Sequence, residues 1–176
     1  MTDPLQSLLD KQSIYEVLIT YCRGVDRCDE ELVRSVYHED SFDDHGYWRG
    51  SGADFAPFVT GRLAGANSAT THSITNVMIE LDGDSAWSES QVLATLVRKD
   101  SQPPRADVMG ARYLDRLSRR DGVWRIDERT VVLDWHKTEV WGVEAPPVPT
   151  EGFVRGGRFP EDPVYAWPTR PQALHS

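Results

Sequence analysis

Three side chains in this sequence have the type and setting to take part in chemistry. Asp26 stands four residues after Cys22 and eight after Leu18, so on a helix it falls on their apolar stripe. A carboxylate on that stripe is withdrawn from water and needs a partner. The plainer account is that Gly24 breaks the helix and Asp26 turns outward. His72 lies in an alternating segment and shares one face with Thr70, Ile74, Asn76 and Met78. Imidazole titrates near ~6.5 and holds either protonation state near neutrality, which suits it to moving protons. The opposite face (Thr71, Ser73, Thr75, Val77, Ile79, Leu81) reads at least as core-like, so a structural histidine is the competing account. Arg129 shares a strand face with Val131, Leu133 and Trp135, where a cation calls for an acid or a ligand. The simpler alternative pairs it with Asp127 or Glu128 near the surface.

The elements that must position these groups are legible from periodicity. Leu5, Leu8, Leu9, Gln12, Tyr15, Leu18, Ile19, Cys22 and Val25 largely follow three- and four-residue spacing, with Asp3 as N-cap and Pro4 at the first helical position. A second, short helix is expected from about Glu30 to Tyr37, its acidic start suited to a helix N-terminus. Glu39 to Gly46 reads as a loop entering a short strand near Tyr47-Trp48. Ser51 caps a third helix, about 53–63, with Pro57 near its first turn. From Ser68 the period changes to two, and four strands are expected at about 68–81, 84–99, 105–119 and 123–137. Asp82-Gly83-Asp84 and Asp121-Gly122 are the hairpin turns. Long antiparallel strands must twist and curl. Helices followed by such a meander indicate an α+β fold, a cone-shaped sheet wrapped around the N-terminal helices. Residues 1–144 would form this domain. Residues 145–176 hold seven of the eleven prolines, yet also Phe153, Phe159, Val164, Tyr165 and Trp167. They read as an extended arm packed on its own domain or on a neighbouring subunit.

The 176-residue chain carries 19 Lys and Arg against 28 Asp and Glu, a formal charge of −9. That balance disfavours nucleic acid and anionic membranes as partners. No apolar run approaches the ~20 residues of a membrane span, and the N-terminus lacks a signal-peptide pattern. The two cysteines, Cys22 and Cys28, form no CxxC site and are expected as reduced thiols, consistent with a cytoplasmic protein. His38, Asp40, Asp43, Asp44 and His45 crowd one segment, but without HExxH or EF-hand spacing, so no metal is expected. His45 neighbours the strand carrying Trp48 and could border a pocket mouth. His136 falls on the strand face opposite Arg129, outside it. No P-loop, GxGxxG or GxSxG motif is present.

Taken together, Tyr21-x4-Asp26 at the end of the first helix, His72 on the first long strand and Arg129 on the last match a family pattern. The segment Tyr37-His38-Glu39-Asp40-Ser41-Phe42-Asp43-Asp44-His45-Gly46-Tyr47-Trp48-Arg49-Gly50 strengthens the match. Over about residues 5–140 the chain resembles the SnoaL-like proteins of the nuclear-transport-factor-2-like superfamily. The resemblance points to the branch that holds scytalone dehydratase, bile acid 7α-dehydratase and hexachlorocyclohexane dehydrochlorinase. The resemblance implies a deep apolar pocket and an Asp–His dyad that eliminates HX without a cofactor. His72 would be the base and Asp26 its partner, while Tyr21 and Arg129 would stabilise an enolate oxygen or the departing group. The implied function is a lyase, a dehydratase or dehydrohalogenase, acting on a small hydrophobic cyclic molecule. An isomerase or polyketide-type cyclase on the same dyad, or a non-catalytic ligand-binding or oxygenase-subunit-like protein, is the alternative. The wall would come from Leu18, Val25, Trp48, Phe55, Phe58, Leu63, Met78, Leu93, Val108, Val131 and Leu133, around a cavity of roughly 300 Å³ or more. The second active-site histidine of the scytalone enzyme has no counterpart, which disfavours that substrate. A homo-oligomer is expected, a trimer ahead of a dimer, because the outer sheet face and the aromatic arm call for cover.

Overall fold

The structure, a computed structural model, describes residues 3–142, 144 and 146–166. Trp167 of the expected arm lies outside the described residues. Helix α1 (Pro4–Arg27) starts as its sequence predicts, with Asp3 accepting the Leu5 amide and Pro4 in the first turn. It does not loosen at Gly24. A Cβ there would come within 2.8 Å of Val33 Cγ2, so this glycine serves the close approach of α2 (Glu30–Ser35). The helix ends instead at Cys28, in the left-handed conformation, and Asp29 caps α2 by accepting the Leu32 amide.

The expected loop after α2 is a strand. β1 (Tyr37–Asp44) pairs in parallel with the last strand, and its alternation sends Ser41 and Asp43 inward and Phe42 outward. Tyr47-Trp48 forms the turn, and the short strand that follows is β2 (Arg49–Gly50). Helix α3 (Gly52–Ala66) is capped by Ser51. Pro57 sits inside it rather than in its first turn, and the Ala53 carbonyl left without a helical donor accepts from Arg34 Nη1 at 2.8 Å.

Four long strands follow: β3 (Asn67–Asp82), β4 (Ser85–Arg98), β5 (Arg105–Arg120) and β6 (Val123–Val140). With β1 and β2 they make one six-stranded mixed sheet in the order β2-β1-β6-β5-β4-β3. The Asp121-Gly122 turn has φ of 52° and 78°, the double left-handed geometry that a tight hairpin needs. The curved sheet closes around the helices as an α+β cone. Ile14, Tyr21 and Val25 of α1, Val33 of α2 and Phe55 of α3 pack there against Val92, Tyr113, Leu117 and Ile126.

Strand β3 changes face midway. Asn76 adopts φ 48° and the pairing with β4 slips between Thr75 and Met78. A bulge of one residue reverses which side chains point inward. Thr70, His72 and Ile74 therefore face the interior before it, and Val77, Ile79 and Leu81 after it. Both faces proposed from the sequence are interior faces, each over half the strand.

Candidate functional site

The uninterrupted course of α1 keeps Asp26 on the inward stripe, 8% exposed. Its Oδ1 lies 2.6 Å from His72 Nδ1, and its Oδ2 accepts the His72 backbone N–H at 2.8 Å. β3 is an edge strand, so alternate N–H groups point away from its neighbour, and His72's is one that the carboxylate takes up. The bond at Nδ1 leaves Nε2 as the free ring nitrogen. Arg158, from the segment after β6, donates from Nη1 to the Asp26 carbonyl (2.5 Å) and to Thr70 Oγ1 (2.7 Å). Its guanidinium ties the end of α1 to the start of β3, the two elements that the dyad bridges. Arg27 pairs with Asp162 at 3.2 Å and Tyr165 donates to Asp29 at 2.8 Å, so residues 158–165 lie along the same helix end.

His72 lines a partly open, apolar-walled cavity of about 160 Å³, about half the size expected from sequence. Tyr21, Tyr113 and His45 occupy part of its wall, which leaves room on the scale of one benzene ring. Of the wall residues proposed from sequence, Val25, Leu63, Val131 and Leu133 line it. Leu18 is fully buried but does not reach it. Phe55, Trp48 and Phe58 form an aromatic layer that does not line it: Phe55 stacks on His45 at 4.2 Å and Trp48 on Phe58 at 5.8 Å. Three assignments are corrected. Met78 lies past the bulge and is 64% exposed on the outer face. Leu93 and Val108 also face outward, because the register pairs Val92 with Ala111 and Ala94 with Met109 on the inner face. Sequence reasoning missed Tyr47, Val59, Val92, Ala94, Leu96, Met109, Ala111 and Tyr113. The even parity of β4 and odd parity of β5 were available as a signal, but which parity faces inward depends on cross-strand register.

Arg129 occupies a different place from the one expected. It is fully buried, and its Nε and Nη2 donate to the two carboxylate oxygens of Asp115 at 2.7 and 2.8 Å. Its guanidinium lies 4.2 Å from the ring centres of both Tyr21 and Tyr113. It sits behind the aromatic wall and does not line the cavity. The alternative partners are engaged elsewhere, Asp127 by Arg120 (2.5 Å) and Glu128 by Arg116 (3.5 Å). Trp135 does not share the inward face either. The register slips between Ala111 and Gly110, and Trp135 packs outward over Gly110.

Tyr21 is 2% exposed and lines the cavity, with its hydroxyl 3.1 Å from His45 Nε2. Burial holds its phenol well above the ordinary tyrosine range, and the neighbouring Tyr113 and Tyr37 add to the effect. His45 does more than border the cavity mouth: it forms part of the wall, with Nδ1 bonded to Asp43 Oδ1. Asp43 is fully buried and its Oδ2 accepts from Tyr37 at 2.6 Å. Of the five residues weighed as metal ligands, Asp43 and His45 bond to each other, while His38 goes to the Ser118 carbonyl, Asp40 to Arg120 and Asp44 to Arg49. Among the described residues no cluster of three or more His, Cys, Asp or Glu is arranged to hold a metal ion.

Several other hollows are larger, and two of them bear on the site. One, about 280 Å³, is lined by Asp26 and His72 themselves together with Arg23 and Arg27. The other, about 430 Å³, is an open groove on the outer sheet face around Met78, Trp87 and Leu114. Neither is walled by apolar side chains as the His72 cavity is, and only such walls exclude water from a reacting centre.

Residues 6–130 match the SnoaL-like domain. No curated protein sequence matches the chain at a significant level. Among solved structures, hexachlorocyclohexane dehydrochlorinase LinA type 3 from Novosphingobium barchaimii is 20% identical with a TM-score of 0.72, covering 82% of this chain and 100% of its own. A scytalone dehydratase-like protein from Novosphingobium aromaticivorans is 20% identical with a TM-score of 0.67, covering 79% and 92%. At these identities the likeness establishes the fold alone. The family match spans most of the chain, and with the cone and its helices it assigns the protein to the SnoaL-like family of the nuclear-transport-factor-2-like superfamily.

Proposed function

We propose that the protein is a cofactor-independent lyase that removes water or a hydrogen halide from a small hydrophobic ring compound. The observation that carries this reading is the 2.6 Å contact between His72 Nδ1 and Asp26, made at the wall of an apolar cavity. Asp26 fixes the ring so that Nε2 is the basic nitrogen, and it stabilises the imidazolium formed when that nitrogen takes a proton from carbon. Such base catalysis is worth about 10²–10⁴-fold. The buried Tyr21 hydroxyl can hydrogen-bond an oxygen on which charge develops, and water exclusion strengthens that bond. Arg129 acts in this reading through the tyrosines it braces, not on the substrate. The volume is on the scale of one six-membered ring. The dehydrochlorinase and dehydratase names of the structural relatives point to the same reaction class. We also propose that the arm expected after residue 144 packs on its own domain, a reading supported within the described residues 146–166 by the grip of Arg158 on the dyad's elements.

The test is a screen of hydroxylated and halogenated single-ring compounds, read by mass loss of water or HX, run with His72→Ala and Asp26→Asn in parallel. Turnover that disappears in both variants supports the dyad. Turnover that survives both removes it from the mechanism, and binding without turnover makes the cavity a receptacle only.

A further inference from the structure

A second imidazole–carboxylate pair faces the same cavity, and the proposed base does not use it. His45 and His72 both line the space. Each presents its Nδ1 to a carboxylate, Asp26 in one case and Asp43 in the other. The two pairs come from unrelated elements, α1 with β3 and β1 with the turn after it. Asp43 is the more deeply placed, fully buried, with one oxygen on His45 and the other accepting from Tyr37. The His45 ring is stacked on Phe55, which fixes its plane, and its Nε2 meets the Tyr21 hydroxyl at 3.1 Å. Asp43, His45 and Tyr21 therefore form one hydrogen-bonded chain that runs from a buried carboxylate to the cavity wall.

The geometry points to a division of labour: His45, seated on Asp43, is the proton reservoir behind Tyr21, and the leaving group that this site accommodates is a hydroxyl that departs as water. This inference rests on the reading of His72 as base. With His45 protonated on both nitrogens, Nε2–H donates to Tyr21 Oη and the phenol proton is free to point into the cavity. His72 Nε2 takes the proton from the carbon beside a carbonyl, and the C–H electron pair becomes the new C=C bond. The C–O bond to the neighbouring carbon breaks, its electron pair leaves on oxygen, and that oxygen takes the Tyr21 phenol proton to give water. Tyr21 is restored by the Nε2 proton of His45, which remains as neutral imidazole held by Asp43. His72 then returns its proton to solvent and His45 regains one, so the cycle closes without a co-reactant. Tyr21 keeps its proton until a stronger base appears, as burial of its phenol requires. Halide is already a weak base and leaves unaided. Hydroxide is a strong one and needs the acid. The class of substrate is thus a β-hydroxy ketone on a single ring.

The test uses 3-hydroxycyclohexanone and 3-chlorocyclohexanone, which give the same enone, with the spontaneous chloride rate subtracted. Tyr21→Phe, which keeps the ring and loses the hydroxyl, and His45→Gln are expected to slow water loss by about 10²–10⁴-fold and chloride loss by less than about tenfold. Asp43→Asn is a second variant on the same chain with the same expected split, and circular dichroism checks that each is folded. His72→Ala should abolish both reactions. If the His45 and Tyr21 variants slow both substrates alike, or neither, the relay is overturned while the base reading stands. If the wild type consumes neither ketone, the inferred substrate class and the relay are overturned while the base reading still stands on the wider screen; if His72→Ala leaves both rates intact, the underlying reading fails and the relay with it.

Discussion

Replacing Arg129 by Met leaves the Asp115 carboxylate, itself fully shielded, without its only ionic partner among the described residues. Removing one member of a buried pair typically costs about 3–5 kcal/mol, because the other charge stays behind desolvated. The two ring contacts at 4.2 Å are lost as well, and desolvated cation–π contacts are each worth up to about 2 kcal/mol. Against a total stability of about 5–15 kcal/mol this is a large fraction. A chain of this length loses about 2–4 °C of Tm per kcal/mol, so the lost ion pair alone should lower the melting temperature of Arg129→Met by roughly 6–20 °C. The double variant Arg129→Met/Asp115→Leu removes both charges, and replacing a buried pair by apolar groups is often neutral, so it should recover most of the loss. Urea unfolding followed by tryptophan fluorescence measures all three proteins. If Arg129→Met unfolds within 1 kcal/mol of wild type, or the double variant is no better than the single, the ion pair is not what holds this corner. A variant of normal stability that has lost turnover would return Arg129 to the substrate.

Three further expectations can be checked directly. Burial holds Tyr21, Tyr37 and Tyr113 well above the ordinary phenol range. The folded state therefore keeps protons that the unfolded chain has released above pH ~10, and stability, flat in this respect below that pH, should fall by up to about 4 kcal/mol per pH unit beyond it. Urea midpoints between pH 8 and 11 measure this, and a midpoint insensitive to pH contradicts the burial. The Cys22 thiol is pushed up to about 12, chiefly by burial, so it should resist a thiol reagent at pH 8 in the folded protein and react in urea. Arg158→Ala removes charge-assisted bonds to Asp26 and Thr70. It should cost about 1–3 kcal/mol in unfolding experiments and lower turnover, and an unchanged rate would separate the arm from the dyad.

Periodicity placed Asp26 on the inward stripe of its helix but left the face of His72 open, and it was the family resemblance that paired the two residues, which the structure places 2.6 Å apart. Arg129 was legible as an anomaly but not as to its partner. Asp115 comes opposite it only through the pairing of β5 with β6, and register is a property of two strands. The segment from Glu39 to Asp44 misled because its acidic residues have poor strand propensity. It is a strand because β6 offers it an open edge, a tertiary cause that composition does not record. His45 followed from that error: with its segment read as a loop, nothing aimed its ring inward. Asn76 carried a usable hint, since asparagine tolerates positive φ better than most residues.

The bulge at Asn76 resets the phase of a single strand, so its upstream half brings His72 to the cavity and its downstream half supplies the scaffold's foundation. Neither half has to compromise with the other's requirements, and the residues around His72 are free to diversify for new ligands while Ile79 and Leu81 stay committed to holding the cone together. Excising that one residue should turn the strand's two halves against each other, forcing either the imidazole or the apolar anchors out into water.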